Sequence, residues 1–336
     1  MRKLASIQRI KALDPIQDAD RIEVATILGW KVVVKKGEFQ VGDLCCYFEV
    51  DSLLPRKPWN DFLANKEKPE KPIRLRTIKL RGQISQGLAM PMSIVPSSFR
   101  PDQEGEDVTV TMEVEKYEMP IPSQLSGEVR GGFPAIVPKT DEIRIQSAPE
   151  LIEEFQGIEC YWTIKLDGTS GTFINLDGDH QVCSRNLSLK DDGKNTYWEM
   201  YHKYGMKELF DKIGNFVIQG EVCGGKIQKN PMKFKEHALY VFNVYDLSGG
   251  KFLDYLDFIS FCKDYSLNSV PVHKVGKFDV ESVEEMIEIG TECMYECGDI
   301  GEGYVIRPTI ERYSQVLSGR ASFKIINNKY LIKHKE

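Results

Sequence analysis

Several things are scarce in this 336-residue chain, and each scarcity narrows what it can do. Its five histidines stand far apart in sequence, which argues against a His-based triad or a cage of His ligands. There is no Walker-type phosphate loop, no G-x-G-x-x-G, no His-Glu-x-x-His and no G-x-S-x-G elbow. No apolar run approaches the roughly 18 residues that a membrane helix needs. The opening Met-Arg-Lys-Leu-Ala-Ser-Ile-Gln-Arg has no apolar core behind its charges, so a secretory signal is not expected. No repeat period is visible. Of eight cysteines, Cys45 and Cys46 are adjacent inside an apolar run, and only Cys293 and Cys297 otherwise lie close, without the second ligand pair a zinc site requires. All eight are expected as reduced thiols, most of them in the core.

What remains describes a soluble, cytoplasmic protein with no membrane partner, expected to act as a monomer. The chain is 41% apolar and 28% charged, with a mean hydropathy of −0.34, and its length suits two domains. Lys plus Arg is 44 and Asp plus Glu is 50, a net charge of −6. The charge is unevenly placed. From Lys71 to Pro101 there are Lys71, Arg74, Arg76, Lys79, Arg81 and Arg100 and no acid. Near the end, Arg320, Lys324, Lys329, Lys333, His334 and Lys335 follow Glu311 with no acid before Glu336. Two such blocks in an acidic chain make a polyanion partner worth testing.

The first third reads as strands: Arg21–Leu28, Lys31–Lys36, Leu44–Val50 and Ile73–Leu80, punctuated by glycines. Short strands at this density suggest a small β-barrel. The basic residues of the last strand switch parity between Arg76 and Lys79, which predicts a bulge near Thr77. A Pro- and Gly-rich stretch then places a domain boundary near residue 120, giving domains 1–120 and 121–336. Beyond it, strands (Tyr161–Lys165, Thr172–Leu176, Phe216–Glu221, Ala238–Tyr245, Gly303–Arg307, Ser322–Ile326) mix with helices (Trp198–Ile213, Tyr255–Tyr265, Val280–Cys297), an α+β pattern.

The segment Cys160-Tyr-Trp-Thr-Ile-Lys165-Leu-Asp167-Gly168-Thr-Ser170 holds the chemistry. Ile158, Cys160, Trp162 and Ile164 face one way along the strand and Lys165 the other, with a carboxylate two residues on. Alone, K-x-D-G should arise by accident in roughly one chain in ten of this length. It is followed by Ser184-Arg185-Asn186, by Phe216-Val-Ile-Gln-Gly-Glu221 before Cys-Gly-Gly, by the aromatic strand around Phe242, by Gly301-Glu302-Gly303-Tyr-Val-Ile-Arg307-Pro, and by Ser322-Phe-Lys324.

In this order the segments resemble the covalent nucleotidyltransferases, the superfamily of polynucleotide ligases and mRNA capping enzymes. The wording is nearest to the RNA ligases: Gly-Glu-Val-Cys-Gly-Gly-Lys-Ile-Gln-Lys-Asn resembles their motif III, Glu-Gly-Tyr-Val-Ile-Arg-Pro their motif IV, and Pro138-Lys-Thr-Asp-Glu-x-Arg144-x-Gln146 the segment before their catalytic lysine. The first third resembles the N-terminal OB domain of one RNA-ligase class. The resemblance implies an OB-like β-barrel followed by a nucleotidyltransferase domain of antiparallel, ATP-grasp-like sheets with helices. It implies an ATP-dependent ligase joining RNA 3′-OH and 5′-phosphate ends through lysyl-AMP and RNA-adenylate, at nicked, duplex or templated breaks in RNA repair. Lys165 would be the nucleophile, its amine poised uncharged, with AMP carried covalently on it. Asp167 and Glu302 would hold Mg²⁺ or Mn²⁺. Arg185 and Glu221 would bind ribose, Phe242 would stack on adenine, and Lys324 and Arg307 would neutralise phosphate charge, with Arg144 also at the ATP. Arg74, Arg76, Lys79 and Arg81 would bind RNA phosphates. One departure from the family is that Lys324 is followed by Ile325 and Ile326 where a Lys-x-Lys is common. The alternatives are a DNA ligase, a capping-type guanylyltransferase, or an RNA-binding module with an inactive transferase domain.

Overall fold

The computed structural model describes residues 2–64, 71–97, 99, 103–118 and 128–334. Arg100, Lys335 and the boundary expected near residue 120 lie outside them. The chain forms two compact units, Met1–Pro120 and Ile121–Lys335.

In the first unit the strand Leu44–Phe48 is buried on both faces. Cys46 and Phe48 pack with Ala5, Ile7 and Leu88 on one side, and Trp59 stacks on Phe48 at 5.3 Å. Cys45 and Tyr47 pack with Trp30, Val32 and Val34 on the other. Ala5–Arg9 and Leu88–Pro91 flank this strand, both antiparallel. Ala12–Pro15, Ile22–Ile27 and Trp30–Lys35 form a meander. Its second turn, Leu28-Gly29, has φ of 51° and 77°, the left-handed pair that suits a two-residue hairpin. Arg81-Gly82, with φ of 49° and 82°, does the same between Thr77–Leu80 and Gln83–Gln86. The expected single strand Ile73–Leu80 is in fact two, Ile73–Arg74 and Thr77–Leu80, in different sheets. The break is an interruption rather than a bulge: Leu75 turns into the core and trades backbone hydrogen bonds with Asp51 and Ser52. The strands pair into short separate sheets, and no closed barrel is traced among the described residues.

The second unit is built on two mainly antiparallel sheets. One runs, in spatial order, through Val129–Gly132, Leu187–Leu189, Asp179–Cys183, Thr169–Leu176, Phe216–Cys223, Ala238–Asp246 and Lys251–Phe252. The other runs through Ile143–Arg144, Phe323–Ile326, Gly303–Pro308, Glu159–Ile164 and Val272–Lys277. Helices Thr196–Lys203, Met206–Ile213 and Tyr255–Asp264 bury their apolar faces on the first sheet; Leu151–Phe155 and Val283–Thr291 cover the second. The helix expected over Trp198–Ile213 is split because Gly205 adopts a left-handed φ of 56°. The helix expected over Val280–Cys297 covers only Val283–Thr291: Ser282 caps its start by accepting the Glu285 N–H, and its end frees the chain to turn toward the lysine. Every cysteine is a free thiol and only Cys297 is exposed. No helix of the described residues is long and apolar enough to cross a membrane.

The second sheet requires glycine at residue 303. Its φ is +144°, and a Cβ there would lie 2.0 Å from the Ile325 carbonyl oxygen. Gly178, in the open hairpin turn at φ +85°, meets nothing within 4 Å. Gly303→Ala should therefore cost about 3 kcal/mol of stability and Gly178→Ala about 1 kcal/mol. Denaturant midpoints of the two variants, measured side by side, check the difference.

Candidate active site

The strand Glu159–Ile164 anchors the site through its inward side chains. Cys160 and Trp162 sit in the core with Phe278 and Tyr304, and Ile158 and Ile164 pack against it. Lys165 follows on the other parity. Its N–H donates to the Gly303 carbonyl at 2.8 Å, and its carbonyl accepts the Tyr295 hydroxyl at 3.3 Å. Its ammonium donates to Glu302 Oε2 at 2.7 Å. The side chains are only 26% and 17% exposed, so the pair is largely removed from water. Tyr295 also accepts the Glu302 N–H, at 3.1 Å, so one phenol fixes the backbone of both partners.

Glu221 is brought in by the hairpin that follows. Ser170 pairs with Glu221 across adjacent strands. Gly168 lies so close to the end of Phe216–Cys223 that a Cβ would sit 2.4 Å from the Val222 carbonyl oxygen. Asp167 accepts a hydrogen bond from the Tyr330 hydroxyl of the helix Asn328–His334. Lys324 pairs with Val305 on one side and with Arg144 in parallel register on the other.

The charges respond to this crowding. Burial pushes the Lys165 amine down, but Glu302, Glu221 and Asp167 together outweigh it, so its pKa is raised. The expectation of an uncharged lysine does not hold in this state: three carboxylates surround it. Burial lifts Glu221 to about 7, against the pull of Lys165. Burial also raises Asp167. Lys324 is pushed down to about 8 by burial and by the positive charges of Lys165 and Arg144. Perturbed acids and bases gathered in one place are the mark of a working site.

Two family models match the chain: an OB-fold domain over residues 4–92 and RNA ligase over residues 158–326. Naegleria gruberi RNA ligase, solved as a lysine-to-methionine variant with AMP and Mn, is 34% identical at a TM-score of 0.82, covering 99% of each chain. The same ligase with PPi matches at 34% identity and a TM-score of 0.81, covering 100% of this chain and 99% of that one. The chain belongs to the RNA ligase family. No curated protein matches it. This RNA ligase therefore has the expected order, an N-terminal OB-fold domain followed by the RNA ligase domain.

The ligase gathers Lys165, Asp167, Glu221, Glu302, Lys324 and Arg144 in one place, and leaves other expected residues outside it. Arg185 is 61% exposed and paired with Asp141 at 2.6 Å. Phe242 is half-buried, outside the core clusters, at a bulge where the ladder slips between Gln219 and Gly220. Arg307 is buried at 2% exposure and already occupied. It bonds Glu142 at 2.8 Å, Ser322 Oγ at 3.1 Å and the Phe242 carbonyl at 3.5 Å. Its guanidinium ties the two sheets together. In the OB-fold domain, Arg74 is likewise held, by Asp51 at 2.7 Å and over the Tyr117 ring at 3.8 Å. Arg76, Lys79 and Arg81 are exposed. Tyr295 and Tyr330 escaped sequence reading, because a lone Tyr outside the motifs carries no signal until the fold closes; Glu142 lies in the segment 138–146 before the lysine, but its pairing with Arg307 shows only in the fold.

Among the described residues no group of three or more His, Cys, Asp or Glu is placed to hold a metal unaided. The hard carboxylates of Asp167 and Glu302 nonetheless fit a divalent cation that takes the rest of its oxygens from phosphate and water.

A carboxyl whose folded pKa lies above its unfolded value favours the fold while protonated and loses that contribution as pH rises. Glu221→Gln removes the group that pays this penalty. The variant should gain about 2 kcal/mol over the parent between about pH 5 and pH 8. Thermal unfolding of both proteins across that range checks it.

Proposed function

We propose that the ligase uses ATP to join RNA 3′-OH and 5′-phosphate ends, with Lys165 as its covalent nucleotide carrier. The observation that carries this reading is the half-buried Lys165–Glu302 pair set beside Glu221, Asp167 and Lys324. Lys165 Nζ attacks the α-phosphorus: the N–P bond forms, the α–β phosphoanhydride breaks, and pyrophosphate leaves. Glu302 Oε2, at 2.7 Å, stands where it can take the amine proton. A divalent cation drawn to Asp167 and Glu302 would offset the negative charge that keeps the lysine protonated. Lys324, with Arg144 beside it, faces the charge that develops on the phosphate. Phe242, half-exposed, suits adenine stacking, and Glu221 and Arg185 suit the ribose hydroxyls. Arg307 serves the site as a positioning residue, fixing Phe242 through its carbonyl.

The AMP then passes to an RNA 5′-phosphate oxygen as the N–P bond breaks. The 3′-OH attacks the adenylated 5′-phosphate, AMP leaves, and the strand closes. Residues 1–120 bind RNA through Arg76, Lys79 and Arg81, and residues 121–336 form the adenylyltransferase domain. Breaks in duplex or templated RNA are the proposed substrates, in RNA repair. Support for the nucleotide chemistry comes from Naegleria gruberi RNA ligase, whose structures include AMP and Mn, ATP and Mn, and PPi. The replaced lysine and aspartate of that protein are two positions apart, as are Lys165 and Asp167.

Incubation with α-labelled ATP should leave the label on protein, and Lys165→Ala should abolish it, as should chelation of divalent metal. Labelled GTP should give at least about tenfold less adduct. Retention of label in Lys165→Ala would overturn the reading.

A further inference from the structure

The strand that carries Glu221 ends at Cys223, and a loop of residues 224–237 leads to the next strand. It carries Lys226, Lys229, Lys233 and Lys235, all exposed, against one acid, Glu236. That acid lies 3.8 Å from Lys203, outside the loop. Among the described residues no carboxylate forms an ion pair with any of the four lysines. The loop's Pro231 and Met232 are buried and Ile227 and Phe234 half-buried, so its surface offers charge and no apolar anchor.

The loop is held firmly. Lys226, Gln228, Asn230 and Lys233 have φ of 67°, 47°, 44° and 60°, and such left-handed residues persist only where the surroundings over-determine them. Asn230 bonds the Phe234 backbone twice, at 2.8 and 3.1 Å. Phe234 stacks on Tyr240 at 5.4 Å, and His237 donates to the Gly225 carbonyl at 2.9 Å. Two tethers fix the loop at the rim of the site. Lys229 Nζ donates to the His334 carbonyl at 2.6 Å, on the helix whose Tyr330 holds Asp167. Cys297 Sγ donates to the Pro231 carbonyl at 3.5 Å, two residues beyond the Tyr295 that bonds Lys165.

We propose that this loop is a second RNA contact of the ligase, gripping phosphates of the backbone beside the end being joined. The inference rests on the ligase reading above. A firmly held loop with four exposed lysines, none paired with a carboxylate among the described residues, suits a phosphate backbone, and lysine serves phosphate as a point charge without reading sequence. An enzyme that must accept ends of any sequence needs contacts of that kind.

The test is the variant Lys226→Asn, Lys233→Asn, Lys235→Gln, which keeps the Lys229 tether and in which asparagine tolerates the left-handed positions. The full-length protein is titrated with a nicked, 5′-phosphorylated RNA duplex at several salt concentrations. Each lost phosphate contact should remove about 0.7 to 0.9 from the slope of log affinity against log salt, so the variant should bind at least about fivefold more weakly at low salt with a slope shallower by about 2. Self-labelling with ATP in the absence of RNA should stay at the parent level. An unchanged affinity and slope in a self-labelling variant overturns the proposal. Loss of self-labelling in the parent instead overturns the ligase reading. If the threefold variant does not fold, Lys235→Gln alone should shift the slope by about 0.8, and no shift overturns the proposal equally.

Discussion

Lys165 and Glu302 stand 137 residues apart in the chain and meet at 2.7 Å. A cation and an anion this far from water are tolerated only as partners, since either one alone would cost several kcal/mol. The pairing therefore constrains its surroundings. The strand Glu159–Ile164 must lie beside Gly303–Pro308 in one register, residue 303 must be glycine, and Tyr295 must bridge the two backbones. Glu221 and Asp167 add negative charge to the same spot, and with Glu302 they raise the pKa of the lysine amine.

The same logic organises the space between the two sheets of the RNA ligase domain. Arg307 joins Glu142, Ser322 and the Phe242 carbonyl, and Arg320 joins Glu311 and Asn243 while stacking on Phe252. Asn243 continues to Gln219, and Gln219 to the Pro138 carbonyl. A buried polar network of this kind rigidifies when every member is satisfied. Here it sets the spacing between the sheet that carries Lys165 and the sheet that carries Glu221 and Phe242. Arg307 is thus better understood as a strut than as a phosphate ligand.

Charge proposed to meet RNA is distributed differently from the charge around Lys165. Lys165 is answered by Glu302, and Lys324 is depressed by burial and by its cationic neighbours. Arg76, Lys79 and Arg81 in the OB-fold domain, and the lysines of the 224–237 loop, stand exposed. The overall negative charge of the chain is compatible with both arrangements, because a polyanion meets local fields rather than the sum.

The order of the short motifs, read with the strand parity of Cys160–Lys165, singled out Lys165, Asp167, Glu302 and Lys324, which the fold brings near one another. Alternation and hydrophobic periodicity are local properties, and so are legible in sequence. Most strands of both domains, and the helix Tyr255–Asp264, were legible for that reason. The interruption at Leu75, the break at Gly205 and the short helix Val283–Thr291 were not, because each answers to a distant partner or to a single backbone angle. The charge state of Lys165, the strut role of Arg307 and the part played by Tyr295, Tyr330 and Glu142 were decided by tertiary structure alone. Electrostatic energy depends on distance and burial, and neither exists for a pair of residues until the chain has folded them together.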